Sequence, residues 1–563
     1  MFTRRFTKPL ALLLLLSLMP GAIPAQTGKS AKSTVQAEDL KKWLTYLSSD
    51  ELEGRATFSE GLGIAAAYIA EQLRGMGVKP GGDNGSYFQR VRVLGVKSTN
   101  RSTLTVAVNG QTRTFKDGEG IVFPKNVGGK RSFTVDQVEF MGYGLDAPLA
   151  NHNDYAGKEV KGKAVVYLGG AGPKGLAQQF RRSLGGRARY ATDQRQALAS
   201  IGPAATGGGF GGAGGGRGGA GAAGAQPDFT TAQRLDNTIP PNVTAQDELF
   251  EFLFSNASVK YAELKDKAAK QEPLPSFTLS GVKLTFNLDA DYQIIRTQLT
   301  RNVVGIVEGS DAKLKDSYVL FSAHYDHVGY AEGEVVNGNR QGAVGRVKPG
   351  TVEDRIWNGA DDDGSGTVTV LGIAKAYATG PKPKRSLMFL WFAGEERGLL
   401  GSRYNADYPS VALDKIVADL NMDMVGRNRD DKAEEANSVL LVGSDRISTE
   451  LHNIAVDAND SLTKPLKLDY EMNDPTDLEQ VYYRSDHYSY AAKGIPIIFF
   501  TTGLHGDYHF NSDHVDLINF EKMARIAQFV YETGRRVANL DHAPARDNKG
   551  PRVGKGSSGK LPQ

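Results

Sequence analysis

Between residues 302 and 539 the sequence takes on a rhythm that leaves few architectures open. Apolar, strand-like runs at 318–323, 386–392, 416–420 and 495–500 alternate with helical stretches at 367–377, 449–457 and 520–537. That alternation marks an α/β fold, a three-layer sandwich around a mixed, largely parallel sheet. In such sheets ligands gather beyond the carboxyl ends of the strands, so the chemistry of this region is sought there.

The flanking segments read differently. Residues 37–77 carry apolar positions at helical spacing in two stretches, the second ending at Gly77 as a helix C-terminus does. From 91 to 288 the texture is β-rich. Leu104-Thr105-Val106-Ala107-Val108 runs into the turn pair Asn109-Gly110, a hairpin signal. Residues 207–225, inside a loop spanning 203–226, are almost all Gly and Ala and are expected to form a flexible surface excursion. A phosphate cradle would need a strand before it and a helix after it, and neither is visible. The expected organisation is a leader at 1–25, a first part of the main domain at 26–90, a β-rich insert at 91–288, the rest of the main domain at 289–540 and a disordered tail at 541–563.

Composition removes several functions. Net charge is only +3 on 563 residues, which provides neither a nucleic-acid footprint nor a reason to expect an acidic partner. The chain has no cysteine, so it holds together without disulfides, and any metal must be bound by His, Asp or Glu. Arg4, Arg5 and Lys8 precede an apolar run at 10–19. That run is too short to span a hydrocarbon core of about 30 Å, and the Pro/Ala-rich stretch to Ala25 offers a cleavage site. The expected fate is export to the periplasm or beyond, with no stable membrane anchor.

Metal-competent residues cluster at the strand ends. His324 closes the run 318–323, with Asp326 two residues on; a lone His there is ordinarily structural. Asp361, Asp362 and Asp363 are adjacent in the loop that opens the helix at 367. One carboxylate would suffice to cap that helix, and three repel one another unless a cation offsets them. Glu395-Glu396 follows a fully apolar strand, where one glutamate can bind a metal while the other takes a proton from an attacking water. Asp423 is a single carboxylate between Met422 and Met424, and a buried carboxylate needs a partner. His505, His509 and His514 crowd the loop after residue 502. Two histidines and three carboxylates can be drawn from this set, with one carboxylate able to bridge two ions.

The ordered series Ala-His324-Tyr-Asp326-His-Val-Gly, Asn-Gly-Ala-Asp-Asp362-Asp-Gly-Ser-Gly, Gly-Glu395-Glu396-Arg-Gly, Asn-Met-Asp423-Met-Val-Gly and Tyr508-His509-Phe-Asn-Ser-Asp513 resembles the co-catalytic dizinc aminopeptidases. That family includes secreted bacterial aminopeptidases, glutamate carboxypeptidase and the transferrin receptor, and the resemblance covers 35–90 and 289–539. It implies one Zn2+ on His324 and Asp423, a second on Glu396 and His509, and Asp362 bridging them through a cis peptide to Asp363. It further implies Glu395 as general base, Asp326 as a supporting residue and Tyr508 as a donor to the oxyanion. The insert stands where many members carry a protease-associated domain. The expected activity is removal of N-terminal residues from peptides or proteins. A carboxypeptidase or dipeptidase is the alternative, and a glutaminyl-cyclase-type acyltransferase or a non-catalytic receptor stands further off.

Overall fold

The fold is that of a computed structural model, which describes residues 35–147, 151–176, 181–204, 230–474, 477, 479–554 and 559–563. The expected leader at 1–25 and the Gly/Ala tract at 207–225 lie outside them. Seven strands carry the first sheet: β1 (Phe88–Asn100), β2 (Ala290–Val307), β3 (Tyr318–His324), β4 (Ser386–Phe392), β5 (Ile416–Met422), β6 (Ser438–Val442) and β7 (Ile497–Thr501). Their order is β1-β2-β4-β3-β5-β7-β6, with Thr230–Ala232 beside β1, Lys467–Asp469 beside β6 and Lys79–Pro80 on β2.

The four central strands β4, β3, β5 and β7 are parallel. The β1–β2, β2–β4 and β6–β7 pairs are antiparallel. The sheet is therefore mixed, and the expectation of a largely parallel one holds only at its centre. The cause lies in the insert. Asn100 pairs with Ala290, so the chain leaves and re-enters at one point and β2 must run back along β1. The expected boundary at residue 91 accordingly falls inside β1.

Strand periodicity divides the side chains between two cores. Leu387, Phe389 and Trp391 of β4 join one, while Met388, Leu390 and Phe392 join the other. The first core is covered by helices α1 (Ala37–Leu47), α2 (Glu60–Gly75), α3 (Gly366–Thr379), α4 (Thr449–Asp460) and α5 (Phe520–Asn539). The short helices Leu400–Asp407 and His487–Ala491 lie on the opposite face. Helix α5 buries Met523, Ile526, Phe529 and Val530 along one stripe, each worth about 1.5–3 kcal/mol of apolar transfer. This three-layer packing fixes the strand ends to which the metal-competent residues are attached.

Ten strands among the described residues between 103 and 288 build a second sheet with its own apolar core. The expected hairpin is present: Thr103–Val108 pairs with Gln111–Asp117, and the turn residues Asn109 and Gly110 have φ of 47° and 88°. The tail departs from expectation. Val553 is buried, the amides of Arg552 and Val553 donate to Asp445 Oδ2 at 2.6 and 2.9 Å, and Leu561 donates to Asn453 Oδ1 at 2.8 Å. In its described part the tail is therefore held by side chains about a hundred residues away, which its polar composition does not reveal. Among the described residues no helix is long and apolar enough to cross a membrane.

Candidate metal centre

The ends of β3, β4 and β5, the loop after β7 and the turn before α3 converge on one point. His324 is the last residue of β3, Asp423 follows β5, and Glu395 and Glu396 follow β4. His324 Nε2 lies 3.3 Å from Asp362 Oδ1 and 3.6 Å from Asp423 Oδ2. On the other side His509 Nε2 lies 3.0 Å from Asp362 Oδ2 and 3.0 Å from Glu396 Oε1. Asp362 thus offers one oxygen to each half.

Two observations test whether these donors fit a metal. A tetrahedral ion with ligands at about 2.0–2.1 Å separates its donors by about 3.3 Å, and the observed separations bracket that value. His324 Nε2 and Glu396 Oε1 are also buried with no hydrogen-bond partner among the described residues. The tautomer agrees. His324 Nδ1 lies 3.1 Å from the Asp326 carbonyl, which can only accept, so Nδ1 carries the proton and Nε2 has a free lone pair. The residues fit a metal bound by nitrogen and oxygen.

The three aspartates divide their work. Only Asp362 faces the donors. Asp363 turns back to accept from the amides of His324, Gly366 and Met424 at 2.8–3.1 Å. Asp361 accepts from Gly426 N at 2.6 Å and lies 3.2 Å from His505 Nε2. Their repulsion is thus met mostly by backbone donors and one imidazole, and the peptide between Asp362 and Asp363 is cis. Asp513 receives the amides of Asp361 and Asp362 at 3.0–3.1 Å, fixing the turn from the loop that bears His509. His505 and His514 stand outside the donor set, paired with Asp361 and Asp354.

Asp326 supports the centre through two of its groups. Its Oδ1 is 3.6 Å from the imidazole but 3.0 Å from the Glu395 amide, and its Oδ2 accepts from Thr57 Oγ1 at 2.8 Å. The carboxylate anchors the Glu395 backbone, and its carbonyl orients the imidazole.

Charges separate the two glutamates. Burial raises Glu396, but His509 and His327 outweigh it and hold this carboxyl at about 2. Burial pushes Glu395 well above the usual glutamate range; His324 opposes this, and Glu396, Asp423 and Asp486 add to it. Burial works against charge on His324 and His509, yet the surrounding carboxylates raise both well above the ordinary imidazole value. Glu395, Asp362 and Asp423 open onto a pocket walled by Met424, Met472, Val481, Phe499 and Leu504. Arg484 and Tyr508 share its rim. Arg484 Nη1 is 2.7 Å from Glu479, and its Nη2 donates to the Tyr508 hydroxyl at 3.2 Å.

Three further residues belong to this centre and carry no role in the sequence reading. Ser485 Oγ donates to Asp423 Oδ2 at 2.7 Å. Arg55, buried beneath the centre, donates to the carbonyls of Leu47, Tyr325, Asn358 and Gly359. His327 brings a third imidazole to the donors: its Nδ1 lies 3.1 Å from Glu396 Oε1. Its signal was present, since it stands inside the motif that supplies His324 and Asp326.

The donors are distributed across residues 302–534, and that span matches the family model of Peptidase family M28. A probable leucine aminopeptidase of Arthroderma otae is 28% identical over 240 residues, which are 41% of this chain and 61% of the relative. The chain therefore spans about three-fifths of the length of the fungal relatives it matches. Aminopeptidase YwaD of Bacillus subtilis is 29% identical over 157 residues, 27% of this chain and 28% of that protein. Among solved structures, the aminopeptidase from Aneurinibacillus sp. strain AM-1 is 18% identical, with a TM-score of 0.43 and coverage of 91% of this chain and 96% of that one.

Proposed function

We propose that the chain is a zinc-dependent exopeptidase, an aminopeptidase that removes N-terminal residues from peptides, with His324, Asp362, Asp423, Glu396 and His509 holding two zinc ions. The observation that carries this reading is the split between adjacent glutamates. Glu396 lies among the donors, while Glu395, anchored through Asp326, faces the same pocket with its carboxyl pushed up by burial. When bound, the metals would supply Lewis acidity to water and to the scissile carbonyl. Glu395 takes the proton of the attacking water and returns it to the leaving amine. The Tyr508 hydroxyl accepts from Arg484, which leaves its own proton free to donate to the oxyanion. The pocket favours a free amine over a carboxylate. Among its described lining residues the one cationic side chain, Arg484, is already paired with Glu479, so none is left to hold a substrate carboxylate. The apolar wall suits an aliphatic or aromatic first residue. The family match of 302–534 and the aminopeptidase names of its relatives support the reading. We also propose export, supported by the basic and apolar N-terminal pattern.

Aminoacyl chromogenic substrates assayed beside N-blocked dipeptides, with and without a chelator, test it. We expect cleavage of the free-amine substrates, loss with chelator and recovery with zinc. Preferential cleavage of the blocked dipeptides would replace the reading with a carboxypeptidase.

A further inference from the structure

The two halves of the donor set are unequal. Around Asp362 Oδ1 the described residues supply His324 and Asp423. Around Asp362 Oδ2 they supply Glu396 and two imidazoles, His509 and His327. His327 leaves β3 three residues after His324 and is held by its backbone, its amide donating to the Arg55 carbonyl at 3.1 Å. Its ring is buried, with Nδ1 3.1 Å from Glu396 Oε1 and 3.9 Å from Asp362 Oδ2. Both ring nitrogens lack a hydrogen-bond partner among the described residues. Leaving a buried polar atom unsatisfied costs about 1–3 kcal/mol, so something should complete it. The ring also crosses His509 edge to face at 5.7 Å, so the two imidazoles approach the same two oxygens from different directions. Gly359 makes the room: a Cβ there would meet the His327 ring at 2.5 Å, at a φ of 57° that already favours glycine.

We propose that His327 is a direct ligand, through Nδ1, of the second metal position, completing the four-donor set His327, Asp362, Glu396 and His509. The first position then has three protein donors among the described residues, His324, Asp362 and Asp423, and an open side on the pocket. Four protein ligands are the pattern of a closed, retentive zinc site, and three with an open place that of a reactive one. The two positions are thereby unequal: the His327 position keeps its ion, and the His324 position exchanges it. This inference rests on the two-metal reading above.

The test is a crystal structure of the zinc-loaded full chain with anomalous data at the zinc edge, joined to zinc titrations of wild type, His327→Ala and His327→Asn against a competing chelator. We expect His327 Nδ1 at about 2.0–2.1 Å from one ion. We also expect both variants to lose more than about a hundredfold of affinity at the tighter position, beyond what losing an orienting hydrogen-bond partner produces, with the weaker position unchanged. Thermal unfolding of the metal-free variants at the wild-type temperature shows that the loss is not one of folding. Two bound ions with His327 Nδ1 detached from both, or a loss of about a hundredfold or less, overturns the inference and leaves the two-metal reading standing. Failure of the wild type to bind zinc at all overturns both.

Discussion

Arg55 is the most demanding test of how the centre is held. Its side chain donates to four buried carbonyls, from the end of α1, the residue after His324, and the two residues ahead of the aspartate turn. Replacing it with Met keeps the length and removes every donor. The Gly359 carbonyl keeps the Gly364 amide at 3.2 Å, so three carbonyls are left unsatisfied, at about 1–3 kcal/mol each or about 3–9 kcal/mol together. Part of this is returned, because burial depresses the guanidinium from 12.5 to about 10. A shift of that size corresponds to about 3 kcal/mol of penalty that the Met side chain does not carry. The net loss should be on the order of 3 kcal/mol, a substantial fraction of the roughly 5–15 kcal/mol that holds a typical domain. Arg55→Lys, which keeps the charge but reaches fewer carbonyls, should fall between. Denaturant unfolding followed by tryptophan fluorescence reads this directly, since Trp43, Trp357 and Trp391 all lie within the main domain rather than the insert. An Arg55→Met midpoint equivalent to less than about 1 kcal/mol of lost stability would refute the reasoning, because a typical single hydrogen bond is worth that much.

Other substitutions probe the surroundings. Asp419 is buried; Ser322 donates to its Oδ1 at 2.8 Å and its Oδ2 has no partner among the described residues. Burial, with Asp486 adding, pushes it up to about 8. The folded state then keeps a proton that the unfolded chain releases near 3.8, so this group's contribution is full in acid and falls as pH rises from about 4 to about 8. The loss at pH 7 is on the order of 4 kcal/mol. Asp419→Asn should flatten the fall in unfolding midpoint between pH 5 and pH 9, measured by denaturant titration at each pH, and a slope equal to that of wild type would count against it. Ser485→Ala removes the hydroxyl that holds Asp423 and should weaken zinc at the His324 position by about 10–100-fold in chelator competition, while the other position is unmoved.

How much was legible depended on what kind of constraint each residue obeys. The donors could be read because metal chemistry restricts residue type and because strand ends bring them together; His324, Asp362, Glu396, Asp423 and His509 all converge. The central strands were legible for a related reason, as a continuous apolar run has no other stable place. What stayed hidden was set by pairing at a distance. Arg55 meets Tyr325 across 270 residues, and no local pattern marks a buried arginine whose partners are carbonyls. The extent of β1 is decided by β2, nearly two hundred residues later, and the tail is held by Asp445 and Asn453. The aspartate run misled in an instructive way. Charge alone suggested three groups sharing a cation, whereas backbone amides and His505 claim two of them.

The division of labour between Glu395 and its neighbours is tested most directly by one variant measured two ways, zinc content and turnover of Glu395→Gln. The amide keeps the shape, and Glu395 stands outside the residues proposed to hold zinc, so the variant should retain the full wild-type complement of zinc. General-base catalysis alone is worth about 10²–10⁴-fold, so turnover of a free-amine substrate should fall by at least that much. A fully loaded variant with near wild-type turnover, or one that loses zinc in step with activity, would contradict the account.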